Sequence, residues 1–220
     1  MRAQPGTVRR LDAPLAILAF WFGMGAAAHA YPAGYDWAYQ TISVLLYRDH
    51  NPRGYLWAWL GLWLCGLAGL AWTSHANRGL EIGSATSPAL GLRILQLGFV
   101  FMCCAVLPDQ LLPWPRGHEL FALLAFIGIS AGVTRQMMLL TDRKTNVRRA
   151  TPVIPLLPLL GAGATQAYLT LRRPDLPWVT PAWRALGISP LLSFGLWEWV
   201  TCAVFSVCLL VLWKRHVVRP

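Results

Sequence analysis

The chain has 220 residues, 56% of them hydrophobic and only 13% charged, with 12 Trp and a formal net charge of +10. A soluble helical domain is excluded, because its helices would show a charged face every turn. Nucleic-acid binding is disfavoured as well, since the basic residues flank apolar stretches and form no separate domain.

Six apolar stretches succeed one another along the chain, at residues 14–30, 55–72, 89–107, 118–140, 152–171 and 190–213. A helix crossing ~30 Å of hydrocarbon needs about 20 residues at ~1.5 Å each, so every stretch can span a bilayer. The fold expected is all-α: one polytopic domain over 1–220, with six transmembrane helices in a single bundle. Thirteen Lys and Arg fall on one side of this arrangement and six on the other. The richer side holds both termini, so the positive-inside rule places both in the cytoplasm of a multi-pass protein of the inner membrane. Acidic residues run the other way, three inside and six outside. The first stretch also fits a cleaved signal peptide, with Ala28-His29-Ala30 as a small-x-small site. Its length and the five spans after it favour retention.

After the first span comes YPAGYDWAYQTISVLLYRDHNPRG. Pro32 and Gly34 make a turn, and Asp36 can cap the helix after it. Trp37, Ala38, Ile42, Leu45 and Leu46 recur at helical spacing, which predicts a short amphipathic helix over 36–47 lying in the outer interface. Asn51-Pro52 ends it and starts the second span. The second outer loop is stiffened by Pro108, Pro113 and Pro115 around Asp109, and Gly117-His118-Glu119 opens the fourth span. His118, in a first helical turn beside a carboxylate, reads as a base or a metal ligand. The fifth span carries Pro152, Pro155 and Pro158, which predicts an irregular inner half. Glu198 lies eight positions into the last span, ~12 Å below its outer end. A charge there costs ~2.5–3.5 kcal/mol on insertion scales, so Glu198 must face the bundle interior and find a partner.

Cys65, Cys103, Cys104, Cys202 and Cys208 all sit inside spans with no CxxC pair, so they read as small apolar residues rather than disulfides or a thiolate metal site. Gln96, Gln136 and Gln166 read as interhelical hydrogen-bonding residues.

YPAGYDWAYQTIS after the first span, the LPD turn with a His opening the fourth span, and GLWEW in the last span together resemble a six-span prokaryotic integral membrane family akin to the eukaryotic Frag/DRAM/Sfk group. The resemblance covers nearly the whole length through short motifs. It puts Tyr31, Pro32, Tyr35, Ser43, Asp109, His118 and Glu198 at patterned positions, and it implies membrane location and lipid handling. One position departs from the pattern. The family tends to carry Arg after the acidic or amide residue of the last span, where this chain has Trp199, so a cation beside Glu198 in its own helix is missing.

Two function classes stay open. In the first, the protein binds membrane lipids, or a second copy of itself or a partner membrane protein, through an outer-leaflet pocket involving Asp36, Tyr35, Tyr31 and Trp197. In the second, it is a lipid-modifying hydrolase or acyl transferase. His118 would then be the base, Asp109 its orienting partner, Glu198 or Asp36 a second carboxylate, and Ser43 the nucleophile. No resident metal or other cofactor is expected, since HExxH and HxxxH are absent; a zinc variant would draw on His29, Asp109 and His118. Either class predicts that Asp36, Asp109, His118 and Glu198 converge in one pocket beneath the interfacial helix.

Overall fold

The computed structural model describes residues 11–78, 88–107, 117–140, 151–172 and 183–218. Asp109, the rest of the second outer loop and both termini lie outside these residues. The described residues are helical, with no strand among them. The helices are α1 (Asp12–His29), α2 (Ile42–Leu46), α3 (Tyr55–Asn77), α4 (Pro88–Ala105), α5 (Gly117–Leu140), α6 (Leu157–Arg172) and α7 (Phe194–Val218). Short 3-10 turns precede α6 (Thr151–Leu156) and α7 (Pro190–Leu192). The first carries Pro155, as the proline spacing of the fifth stretch predicts.

Four segments, Tyr55–Asn77, Pro88–Ala105, Gly117–Leu139 and Phe194–Lys214, are long and apolar enough to cross a membrane. Their outward faces are apolar too: Leu60, Leu64, Leu97, Leu123, Ile127 and Val207 are all more than half exposed. So wide an apolar surface would aggregate in water and is what lipid covers. The chain is a helical membrane protein.

Between helices already surrounded by hydrocarbon, association depends on close packing, and small residues permit it. A Cβ on Gly23 would lie 2.5 Å from the Gly61 Cα, so α1 and α3 touch backbone to backbone. A Cβ on Gly128 would lie 2.8 Å from the Gly98 Cα, which does the same for α4 and α5. Helix α3 also packs on α4, joining the two pairs. Helix α7 closes the bundle against α1 and α5, and α6 packs outside it on α7. Polar ties add to this. Gln96 Nε2 donates to Ser74 Oγ (2.8 Å), Gln136 Nε2 donates to the Pro88 carbonyl (2.7 Å), and Asp12 pairs with His75 (3.2 Å). The five cysteines are free thiols on α3, α4 and α7.

The two larger apolar clusters of the interior are bridged by Met102, and a third, small one pairs Tyr39 with Trp183. One of the larger two gathers around Leu95, Phe99, Val133 and Leu212. The other, around Phe20, Met24, Leu45, Leu62 and Trp199, lies under α2.

The helix expected over 36–47 is shorter and deeper than its spacing suggests. Only Ile42–Leu46 is helical, and Ile42, Leu45 and Leu46 are buried against α1, α3 and α7 rather than lying along an interface. Competing hydrogen bonds explain this. The Asp36 carboxylate accepts the Ala38 amide (3.1 Å) and the Gln40 side chain accepts the Asp36 amide (2.8 Å), which closes a turn. The Tyr35 hydroxyl then sits 2.9 Å from both the Gln40 and Thr41 carbonyls, which fastens the chain in the turn where a continuous helix would have to pass. Thr41 is extended, and α2 starts afresh after it.

Candidate functional site

The polar residues beneath α2 are placed by three helices. Helix α5 presents His118, Ala122, Ala125 and Ile129 on one face, at steps of four, three and four residues. Helix α7 presents Glu198, Cys202 and Phe205 in the same way, and α2 supplies Ile42, Ser43 and Leu46. Phe20, Leu62, Met102 and Ala105 complete a cavity of about 80 Å³. The cavity exists because three of these positions, Ala105, Ala122 and Ala125, stop at Cβ.

Within it, the Nδ1 of His118 is 2.6 Å from the Ala105 carbonyl oxygen. A carbonyl only accepts, so Nδ1 carries the proton and the neutral ring leaves Nε2 as an acceptor. Nε2 is 3.2 Å from Ser43 Oγ, whose hydroxyl then donates to it. The ring is thus oriented by a backbone carbonyl; Asp109, the orienting partner expected from the sequence, lies outside the described residues. One residue back in the chain, the Ile42 amide donates to Glu198 Oε2 at 2.8 Å. Glu198 is buried, and its partner is a backbone N–H rather than a cation. It satisfies the first exposed amide of α2 and so sets where Ser43 stands.

A second hollow, of about 540 Å³, adjoins the first. Tyr47, Arg48, Asp49, Tyr55, Trp59 and Val106 line it, and His118, Ala105 and Leu46 are common to both. The Tyr47 and His118 rings lie 5.7 Å apart. His118 therefore stands where a polar mouth meets an apolar interior.

The structure brings Ser43, His118 and Glu198 together and sends Asp36 elsewhere, which corrects the expected convergence. Asp36 makes a two-pronged pair with Arg184, Nε to Oδ2 at 2.8 Å and Nη2 to Oδ1 at 3.1 Å. The Arg184 hydrogen bonds hold the Asp36 carboxyl below the usual range. Arg184 also lies over the Tyr39 ring at 5.1 Å, and the Tyr39 hydroxyl donates to the Ile188 carbonyl. These bonds fasten the segment before α7 onto the loop after α1 as a cap. A carboxylate this well paired on the surface is unavailable to a cavity on the other side of α2.

The remaining expected ligand residues also belong to the cap. Tyr35 accepts from Trp199 Nε1 (3.1 Å) while donating to the two carbonyls already named, and burial raises its hydroxyl above the usual phenol range, so it stays a donor. Tyr31 stacks edge-on against Tyr35 (5.8 Å) and accepts from Gln40 (3.4 Å). Trp197 donates to the Leu191 carbonyl (2.8 Å) and lies against Gly161 of α6. Tyr35 and Asp36 line a shallow surface hollow with Trp37 and Arg184, not the cavity. Trp199, the departure in GLWEW, sits among Trp37 (4.5 Å), Trp21 (5.8 Å) and Tyr35 (6.0 Å), so an aromatic cage occupies the space beside Glu198.

Two residues escape a reading of the sequence. Asn51 is fully buried; its side chain donates to the Ala27 carbonyl (3.0 Å) and accepts from the Gly54 amide (3.1 Å), joining the end of α1 to the start of α3. Its only sequence signal, Asn-Pro, reads as a turn. Arg184 has no signal at all, because its partner is 148 residues away. His29 is exposed at the end of α1, and among the described residues no three His, Cys, Asp or Glu side chains gather as a metal ion would require.

Comparison with known family models, with curated proteins and with solved structures returns no match.

Proposed function

We propose that this chain is a six-span protein of the cytoplasmic membrane, with both termini inside, that binds an outer-leaflet lipid beneath α2. The observation that carries this reading is the adjacency of the two hollows: an apolar cavity inside the bundle shares His118, Ala105 and Leu46 in its wall with a larger hollow holding Arg48, Asp49 and aromatic rings. That polarity matches a lipid with its chain inward and its headgroup outward; the cavity's 80 Å³ is below the ~300 Å³ of an ordinary ligand pocket, so a long chain enters only as side chains such as Met102 and Phe205 swing aside. A ligand cavity of this kind is mostly apolar with a few fixed polar groups. Counting α1 and α6 as spans rests on their apolar composition, and the sidedness rests on the Lys and Arg bias. Membership of the six-span family that the YPAGYDWAYQTIS and GLWEW segments resemble belongs to the same proposal.

The test is lipid bound to the purified protein. Ala125 faces the cavity, so Ala125→Phe fills it, at a cost of about 1–3 kcal/mol from overpacking. Mass spectrometry of extracted lipid is expected to show about one molecule per wild-type chain and several-fold less in the folded variant. Equal lipid in both proteins would place the binding elsewhere.

A further inference from the structure

His118 lines both hollows and Ser43 lines the inner cavity beside it, so the ester group of a lipid whose chain entered the cavity and whose headgroup stayed in the larger hollow would pass this pair. We propose that Ser43 is a nucleophile and His118 its general base in acyl transfer from a long-chain lipid ester. The inference rests on the lipid-binding reading and adds a reaction to it.

The geometry supplies the nucleophile and base of such a step: a hydroxyl within hydrogen-bond reach of a base, and the base in turn oriented by a third group. Ser43 Oγ is 3.2 Å from His118 Nε2, and the Ala105 carbonyl 2.6 Å from Nδ1 keeps Nε2 free to take a proton. Both side chains are half-buried, so they are screened from bulk water and still reachable. The reaction has two halves. The Ser43 hydroxyl proton passes to His118 Nε2 as Oγ bonds to the ester carbonyl carbon. The bond from that carbon to the alcohol oxygen breaks, and the departing oxygen takes the proton from Nε2. Water then gives a proton to Nε2 as its oxygen attacks the acyl-serine, and Oγ leaves with that proton. The products are a fatty acid and the deacylated lipid, with both residues restored. A lipid hydroxyl in place of water would yield a new ester by the same second half.

Glu198 is a positioning residue here. It touches Ile42 and not the reacting atoms, and it fixes the start of α2 from which Ser43 projects.

A long-chain alkyl fluorophosphonate reports a nucleophilic serine directly. Full-length protein in detergent is treated with it and mapped by peptide mass spectrometry. In parallel, protein in phosphatidylethanolamine–phosphatidylglycerol vesicles carrying a labelled acyl chain is assayed for labelled fatty acid or new ester. Label is expected on Ser43, with product in the vesicles. Ser43→Ala should lose both, and His118→Gln should lower both by at least ~10²-fold, the usual contribution of a general base. Thermal unfolding and copurifying lipid identify which variants remain folded. No label on Ser43 and no product from wild type that still carries lipid would overturn the catalytic assignment and leave the binding reading standing. Product undiminished in Ser43→Ala would overturn it too. Wild type with neither lipid nor label would overturn both.

Discussion

Asp36 and Glu198 are both carboxylates near the same end of the bundle, and their surroundings give them different work. Glu198 is buried and accepts one backbone amide. Asp36 is open to solvent on one side and takes both prongs of Arg184. The pair depresses the Asp36 titration, so its contribution is complete above the ordinary aspartate range of ~3.9 and is lost as pH falls through the lower folded value. The effect is small because Arg184 is exposed and solvent screens the pair. Acid is therefore expected to loosen the cap, with Trp37 fluorescence shifting at acid pH in wild type. Asp36→Asn should show no such step. A wild-type signal flat through the same range would contradict the pairing as the holder of the cap. Asp36 could be read from the sequence as a capping residue, but not as Arg184's partner, since nothing local connects positions 148 residues apart.

Helix α2 shows how far spacing can be trusted. The period of Ile42, Leu45 and Leu46 located a real helix, and Asp36 a real turn. The period could not reveal that the Tyr35 hydroxyl engages the Gln40 and Thr41 carbonyls and that Glu198 accepts the Ile42 amide. Those side-chain bonds cut one expected helix into a turn and a short buried helix. Asn51 stabilises the other end of the same element, where it bonds α1 and α3 and approaches the Leu45 carbonyl at 3.4 Å. Asn51→Ala removes the partner of the buried Ala27 carbonyl, which costs ~1–3 kcal/mol when left unmet, while the Gly54 amide keeps the Asn51 backbone carbonyl as acceptor. Thermal unfolding in detergent should show a loss of about 1 kcal/mol or more, and hydrogen exchange should quicken around residues 45–54. A loss under ~0.5 kcal/mol, below the ordinary worth of even one hydrogen bond, would show that other bonds hold this junction.

Across the molecule, the long apolar stretches and the observed helices coincide closely, from α3 starting at Tyr55 to the proline-rich turn before α6. Alkaline phosphatase and green fluorescent protein fusions are expected to report both termini and the α3–α4 connection inside, and the α1–α3 connection outside. The opposite pattern would put the cavity mouth on the cytoplasmic face.

Residue order alone determined that the chain is a helical membrane protein, because continuous apolar length is a local property that hydrocarbon rewards directly. It also marked Glu198 as a charge out of place in an apolar span and His118 as a base at a helix start. Which of them meet was settled only by packing. Close contact at Gly23–Gly61 and Gly98–Gly128 sets how the helices align, and three alanines leave the space between them. Asp36 pairs with Arg184, and the Ala105 carbonyl meets His118, because hydrogen-bond partners are chosen by distance in the folded bundle and not by separation along the chain.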